Sequence, residues 1–314
     1  MASVVIARAP LALAQSYPVK PIRIIAAQSA GGGTDLFARM LGQKMTEAWK
    51  QTVVVENRPG AGGTIGNDVT AKAAPDGYTL LLATAGQMVI NPSLYPDSGH
   101  DPIRDLAPIA LFATSPLMLV VHPSVPAHSV QEVIALARSA PTRLNHGSGG
   151  GGSPAHLAAE LFKALTGAKM THVPFKGVAP SVLAVIAGQI DLTFATIAAV
   201  LPQVKAQRLR ALAVSTPRRS RIVPALPTVA EAGVPGYEVT TWFGLFGPAA
   251  LPKDIIARLH IEVTRILALP DVRERLYNDG GEPGNLTVDE FGAFIRADAA
   301  RWAKVIKAAG IKGD

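Results

Sequence analysis

Residues suited to anion binding follow the first apolar run of the chain. The run 22–26 ends near Gln28 and Ser29, passes through three glycines, and continues from Thr34 and Asp35 with apolar residues at helical spacing. This order predicts a strand, a tight loop and a helix. Glycine lets the backbone approach a ligand closely, and the first N–H groups of a helix lack intrahelical partners. With the positive end of the helix dipole, such a junction attracts carboxylates and phosphates.

A second glycine-rich junction lies near the middle of the chain. Gly147, Ser148 and Gly149 follow a predicted strand at 143–146, and three more glycines lead to Ser153. Serine is favoured at the N-cap of a helix, and the proline after it suits the first helical position. We expect the two glycine loops to face each other across a cleft. A third loop, at 84–87, leaves a strand beside the first one, at the edge where ligands bind in open parallel sheets.

Motifs for catalysis are missing from these loops. Neither Ser148 nor Ser153 has the G-x-S-x-G spacing of a hydrolase nucleophile, because His146 and Ala155 occupy positions that require glycine. The histidines lack the spacing of a zinc site, and neither loop is closed by the Gly-Lys-Ser/Thr of a P-loop. The first loop also departs from a dinucleotide fingerprint. We therefore predict a binding site of neutral donors and backbone amides, without a catalytic residue, metal or cofactor, and an enzyme acting on an anionic metabolite remains an alternative.

Several candidate residues allow two interpretations. Asp35 can stabilise its helix through the dipole or face a ligand amine, and His156 can pack or contact a ligand. Trp242 and Phe243 can belong to the core or form the floor of the cleft.

The composition favours a compact protein that binds anions. The 314 residues are 48% hydrophobic and 17% charged and include no cysteine, which excludes thiol nucleophiles, thiolate metal sites and disulfides. The formal charge of +7 favours anionic partners, but no long basic run exists and only 5% of residues are aromatic, so nucleic acid is not expected. We interpret the densest basic cluster, at 218–221, as a solvated loop.

Strands alternate with helical patterns, which predicts an α/β fold with mainly parallel sheets flanked by helices. Residues 1–14 end in small residues before Gln15 and are interpreted as the remnant of a signal peptide. Strands at 106–121, broken at Ser115 and Pro116, should carry the first crossover between two lobes, and a strand at 237–246 the second. The predicted lobes are 15–113 with 243–314, and 114–242.

Short motifs elsewhere in the chain resemble those of a known family. They include Tyr17-Pro18, the segment 56–63, Pro174-Phe175-Lys176-Gly177, the segment 188–192 and the segment 227–233. With the two glycine loops, and in this order over about residues 15–310, they resemble the Bug-type solute-binding receptors of tripartite tricarboxylate transporters.

The resemblance implies a two-lobed periplasmic binding protein fold of type II, in which two crossover strands join lobes that close on a small mono- or dicarboxylate, aliphatic or aromatic. It implies a receptor in the periplasm that delivers its ligand to the membrane permease subunits, and we expect a monomer. A sensor that signals to a membrane kinase remains an alternative.

In this family neutral groups from the glycine loops grip the carboxylates, usually without a salt-bridging arginine. The predicted ligand-binding residues are Gln28, Ser29, Ala30, Gly31, Thr34, Asp35, Thr84, Ala85, Gln87, Gly147, Ser148, Gly149, Ser153, His156, Phe175, Thr196 and Trp242. Where members often carry proline and an aromatic residue before the first glycine loop, this chain has Ala27 and Gln28. We therefore expect a ligand that is bulkier, or more polar near Gln28.

Overall fold

The structure is a computed structural model that describes residues 17–28, 30, 33–95, 101–139, 144–175 and 177–310. Helices and strands alternate along most of this length, as the sequence predicts. The strands are β1 (Ile22–Ala26), β2 (Val53–Asn57), β3 (Thr79–Thr84), β4 (Leu106–Val121), β5 (Asn145–Ser148), β6 (Thr171–Pro174), β7 (Leu192–Thr196), β8 (Arg210–Val214), β9 (Thr240–Pro248) and β10 (Glu282–Pro283). The helices are α1 (Gly33–Trp49), α2 (Thr64–Ala71), α3 (Asn91–Leu94), α4 (Pro102–Asp105), α5 (Val130–Ser139), α6 (Pro154–Thr166), α7 (Val178–Ile186), α8 (Ile197–Lys205), α9 (Lys253–Leu267), α10 (Pro270–Asn278) and α11 (Val288–Ala309).

The strands pair in the order β2-β1-β3-β9-β4-β7-β5-β6, with β8 and β10 each also pairing with β4. β1 is parallel to β2 and β3, and β5 is parallel to β6 and β7. β9 runs antiparallel to both β3 and β4. Two groups of parallel strands therefore lie on either side of the long antiparallel strands β4 and β9.

β4 changes its pairing partners half-way along its length. Up to Pro116 it pairs with β9, and from Leu117 onwards it pairs with β7 and β8. We call the strands around the first part the first sheet half and those around the second part the second sheet half. The predicted break at Ser115 and Pro116 is wrong, because β4 is continuous there. The proline tolerates this position because the strand exchanges one partner for another at this point.

The second glycine loop begins later than the sequence suggests. Gly147 and Ser148 are the buried end of β5, so the loop proper starts at Gly149. The sequence analysis also contains no counterpart of α10, whose short, charge-rich sequence carries a weak apolar pattern. α6 begins as predicted, with Ser153 at the N-cap and Pro154 at the first position.

The core is divided among three apolar clusters. One lies on α1, α9 and one face of the first sheet half, and another lies between α7, α8 and β4. The third contains side chains from both sheet halves, including Leu81 and Leu119, and is covered by Phe291 and Trp302 of α11. None of the described helices has the length and apolar character needed to cross a membrane. The C-terminal helix thus packs over the junction of the two halves.

Candidate ligand-binding site

A cleft of about 990 Å³ lies between the two sheet halves. Its volume is within the range typical of small-molecule sites. The first half contributes residues from the first glycine loop, β3 and β9, and the second half contributes the second glycine loop, α7 and α8. The predicted residues that line it are Gln28, Thr84, Gln87, Gly149, Ser153 and Thr196.

Four helices present their N-terminal turns to the cleft. Gly33 begins α1, Pro154 begins α6, Val178 begins α7, and Thr196 is the N-cap of α8. Among the described residues, no side chain caps the N-terminus of α7 or α8. The opening N–H groups of these helices lack intrahelical partners, and the dipoles place partial positive charge there. The cleft therefore offers backbone N–H donors to an anion, and no lysine, arginine or histidine lines it among the residues that the structure describes.

Hydrogen bonds from α1 and β2 hold Gln28, at the start of the first glycine loop, in position. The Thr34 hydroxyl donates to the Gln28 side-chain oxygen at 2.7 Å, and Asn57 Nδ2 donates to the Gln28 carbonyl at 3.1 Å. Asp35 is buried and accepts from Asn57 Nδ2 and Arg39 Nε, so its carboxylate holds the start of α1 rather than lining the cleft. Ala30 is exposed and lies off the cleft lining. The predicted residues Ser29 and Gly31 lie outside the described residues.

The loop after β3 takes the form of a π-helical turn over Gly86–Ile90. Gln87 is almost completely buried there, and its side-chain oxygen accepts from the Thr84 N–H at 2.9 Å. Its Nε2 donates to the Ala27 carbonyl at 3.3 Å. Gln87 therefore joins the ends of β1 and β3 and fixes Thr84 at the edge of the cleft. Ala85 is buried and does not line the cleft.

The second glycine loop is supported from below by Ser148. Its hydroxyl donates to the Gly150 carbonyl at 3.0 Å and accepts from the Gly150 N–H at 3.1 Å. The same oxygen lies 2.7 Å from His172 Nε2. Gly147 faces Ile190 and Ser181 closely, with no room for a side chain. Ser148 and Gly147 thus shape the loop from beneath, while Gly149 and Ser153 reach the cleft.

Three histidine rings stack beneath this loop. His156 lies 3.9 Å from His172 between ring centroids, and His146 lies 5.0 Å from His172 on the other side. His156 Nδ1 accepts from the Gly152 N–H at 3.1 Å, which ties the stack to the loop. Glu160 lies beside the stack and pairs with Lys163 at 2.7 Å.

His146 is completely buried, and neither ring nitrogen has a hydrogen-bond partner among the described residues. Its Nε2 is 3.8 Å from Glu160 Oε1, which is beyond hydrogen-bonding distance. Loss of water, reinforced by His172, Lys163 and His156, lowers the pKa of His146 from 6.5 to about 2. The ring is therefore neutral at physiological pH, and this contact is not an ion pair.

Two predicted aromatic residues do not line the cleft. Trp242 is completely buried, where its indole N–H donates to Asp298 Oδ2 at 2.8 Å and its ring meets Phe291 edge-on. Phe175 is partly buried against the second-half core and lies close to Gly147. Of the two interpretations given above, the structure places Trp242 in the core, and Phe243 lines the cleft.

The cleft also has an apolar wall that the sequence analysis missed. Leu36 is 39% exposed and Leu183 is 61% exposed, and both line the cleft. The other apolar side chains of the wall are Phe37 and Phe243 from the first half, and Val178, Val182 and Ile186 from the second. The sequence carried no signal for this wall, because Leu36 and Phe37 both belong to the apolar pattern of α1, which does not indicate which of the two stays exposed.

Two polar residues of the crossover strands complete the lining. Ser115 donates its hydroxyl to the Gly280 carbonyl at 3.1 Å. Thr241 lines the cleft with a buried hydroxyl that has no hydrogen-bond partner within the described chain. Asp279 is the one ionisable residue in the described lining. A search of the described chain finds no group of three or more metal-ligating side chains.

Comparison with known proteins identifies the family. The family described as "Tripartite tricarboxylate transporter family receptor" matches residues 37–311. This chain belongs to that family. Protein BugT of Bordetella pertussis is 36% identical over 300 residues, spanning 95% of this chain and 92% of BugT. The resemblance seen in the sequence is thereby confirmed.

Two solved structures are similar to this receptor over nearly its whole length. Rpa4515 of R. palustris, solved with adipate, matches with a TM-score of 0.84 and 36% identity, covering 94% of this chain and 99% of that one. MatC (Rpa3494) from Rhodopseudomonas palustris, solved with bound malate, matches with a TM-score of 0.79 and 31% identity, covering 92% and 100%. They confirm the periplasmic binding protein fold. Because the family and these structures are solute-binding receptors, this protein is a receptor and not an enzyme.

Proposed function

We propose that this receptor binds a small carboxylate in the cleft between the sheet halves. The observation that carries the proposal is the convergence of four helix N-terminal turns on the cleft, from both halves. Hydrogen bonds to a charged group contribute about 1.5–3 kcal/mol each, and micromolar binding requires about 8 kcal/mol. Four to six such bonds supply this after the costs of ordering and closure. The adipate and malate bound by two related structures support the same ligand class.

The ligand has a hydrocarbon body. Leu36 and Leu183 expose apolar surface to the cleft from opposite halves. Exposed leucine side chains gain free energy when a ligand's methylene groups or aromatic ring cover them. A dicarboxylate with an aliphatic or aromatic spacer places its charges near the helix N-termini and its spacer against this wall. Thr241, whose buried hydroxyl lacks a partner among the described residues, supplies a further hydrogen bond.

The two sheet halves act as lobes that close on the ligand. We place one hinge between Pro116 and Leu117, where β4 changes partners. We place the other between Val239, whose N–H donates to the Ser215 carbonyl, and Thr240, where β9 begins. These positions lie within three residues of the lobe boundaries predicted from the sequence. A ligand that touches both lobes stabilises the closed form, and closure can then report occupancy to a partner. We propose that the receptor is periplasmic and that this partner is the membrane permease of a tripartite tricarboxylate transporter.

Isothermal titration calorimetry tests this function. The protein, stripped of co-purified ligand, is titrated with succinate, adipate, suberate, benzoate, malate and citrate. We expect micromolar binding of at least one carboxylate, with adipate or suberate tighter than citrate because of the apolar wall. Absence of binding to every acid would contradict the carboxylate site, whereas tighter binding of citrate would contradict only the hydrocarbon body.

A further inference from the structure

A second cavity, of about 680 Å³, lies beside β4 and β10 and shares no lining residue with the cleft. Thr114 lines this cavity, whereas the next residue, Ser115, lines the cleft. Consecutive side chains of a strand point to opposite faces of the sheet. We call this second space the rear cavity. Its volume also falls within the range of small-molecule sites.

Basic side chains from both sides of the crossover border the rear cavity. The loop after β8 belongs to the second sheet half, and α9 and α10 pack against the first. The lining basic residues are Arg218, Arg219 and Arg221 of the loop, His260 of α9 and Arg273 of α10. Glu282 is the one carboxylate residue in the described lining. Guanidinium groups suit carboxylate and phosphate oxygens because their N–H donors are paired and fixed in a plane.

The loop that carries Arg218, Arg219 and Arg221, called the arginine loop, is held to Glu282 by one side-chain and one backbone hydrogen bond. Glu282 Oε1 accepts from the Ser220 hydroxyl at 2.8 Å and from the Arg221 N–H at 3.1 Å. Glu282 itself pairs with Thr114 between β10 and β4. Glu282 Oε1 therefore accepts hydrogen bonds from uncharged donors of the loop. The loop is anchored to the first sheet half while its guanidinium groups remain exposed.

Three of the four guanidinium groups have no acidic partner among the described residues. Arg219 pairs with Glu231 at 2.8 Å. Within the part of the chain that the structure describes, no carboxylate lies within ion-pair distance of Arg218, Arg221 or Arg273. Like charges gathered around a concave surface repel one another and concentrate counter-ions there. An anion in the cavity relieves this repulsion.

His260 adds a further polar atom. Its Nδ1 lies 2.9 Å from the Ile109 carbonyl, which can only accept, so Nδ1 carries the proton. Nε2 remains as the second hydrogen-bonding atom of the ring.

We propose that the rear cavity is a second anion-binding site, separate from the cleft, that takes a small multivalent anion carrying phosphate or several carboxylate groups. The concave form and volume fit a small molecule, and three unpaired guanidinium groups fit an anion with more than one charge. The site is independent of the function proposed for the cleft, because the two share no lining residue.

Titration with sodium pyrophosphate tests the proposal. The wild type is titrated by calorimetry at about 50 mM salt, where exposed charges are weakly screened, with and without saturating carboxylate in the cleft. We expect one site that persists when the cleft is filled. The triple variant Arg218→Gln, Arg221→Gln, Arg273→Gln should bind pyrophosphate at least about tenfold more weakly. Its carboxylate binding should be unchanged, so failure here is distinguishable from failure of the function proposed for the cleft.

A matched variant separates a local site from the overall positive field. Arg208→Gln, Arg258→Gln, Arg296→Gln removes the same charge from exposed positions outside the cavity. It should keep pyrophosphate affinity within about twofold, since only long-range attraction is lost. Thermal melts at low salt should show that the rear variant is at least as stable as wild type, because repulsion has been removed. Equal losses in both triple variants, no binding to wild type, or tighter binding of a hexaglutamate peptide than of pyrophosphate would overturn the proposal.

Discussion

The cleft and the rear cavity share no lining residue and attract anions by different means. The described cleft lining contains one ionisable residue, Asp279, and helix N-terminal turns supply the donors for an anion there. The rear cavity is bordered by four arginines and a histidine around Glu282. One site relies on backbone fixed within secondary structure, and the other on long side chains at the surface.

This difference predicts different selectivity. Backbone N–H groups have fixed directions, so the cleft selects a ligand by where its carboxylates stand and by what joins them. Exposed guanidinium groups adapt their positions, so the rear cavity selects mainly by charge. A receptor needs the first kind of site to choose a solute.

The largest effect is expected from Gly152→Val in the second glycine loop. Gly152 has a φ of +68°, where a β-branched residue is strained, and an added Cβ would overlap Leu94 of α3 from the other sheet half. Strain of about 1–3 kcal/mol and the blocked approach of the halves should weaken binding of the tightest carboxylate about a hundredfold. Calorimetry measures this, and pyrophosphate binding should stay unchanged.

Gly236→Val is the matched control for this change. Its φ of +79° imposes similar strain, but nothing lies within 4 Å of an added Cβ. It should lower stability and leave carboxylate affinity within about threefold of wild type. Equal losses of affinity in both variants would show that the loop geometry is not what the cleft depends on.

Acid should weaken the support of the cleft while the rear arginines keep their charge. His146 has an ordinary pKa of 6.5 when unfolded and a folded pKa of about 2. Below pH 6.5 His146 binds a proton in the unfolded chain but not in the folded chain, so the free energy of unfolding decreases as the pH falls to about 2. From pH 6.5 to about 4.5 this one group should cost about 2 kcal/mol. Chemical denaturation at several pH values measures the slope.

Two variants test whether His146 causes the pH dependence of stability. His146→Leu removes the titrating ring from an apolar site and should flatten the pH dependence of stability by about that amount. His128→Gln replaces an exposed histidine outside the stacked rings and is the matched control for the loss of one imidazole. A wild-type slope retained in His146→Leu would refute the assignment.

The sequence predicts the parts of the cleft that are local. The strand and the helix on either side of the first glycine loop, and the Ser153 cap of α6, depend on neighbouring residues and are present as predicted. The π-helical turn that positions Gln87 depends on a contact with Ala27, which lies far away in the sequence. No local pattern indicates such a turn.

Other features depend on which face of an element is buried. Trp242 and Phe243 are consecutive on β9 and therefore point in opposite directions, but the strand pattern does not say which one meets the cleft. The arginines of the cluster at 218–221 are exposed, as predicted, yet folding places them around the same cavity as Arg273 of α10, which the sequence did not indicate. The three stacked histidines likewise come from separate elements. Tertiary contacts decide these positions.

Added salt should weaken anion binding more in the rear cavity than in the cleft. Raising NaCl from about 50 to about 500 mM shortens the screening length about threefold, which weakens the attraction between exposed charges and an anion. We expect pyrophosphate affinity to fall about tenfold, while carboxylate affinity in the partly enclosed cleft falls less than about threefold. Titrations at intermediate concentrations give the two slopes. Equal slopes would mean that the cleft also depends on exposed charge.

The smallest effect is expected at the apolar wall of the cleft. Leu183→Ala removes exposed apolar surface, so stability should hardly change, but the spacer of a bound ligand loses about 1 kcal/mol of contact. Adipate affinity should fall about fivefold and succinate affinity less, because the shorter spacer reaches less of the wall. Leu165→Ala, an exposed leucine of α6 outside the cleft lining, should change neither. Parallel losses for both acids would indicate that Leu183 shapes the cleft rather than contacting the spacer, because only direct contact scales with spacer length.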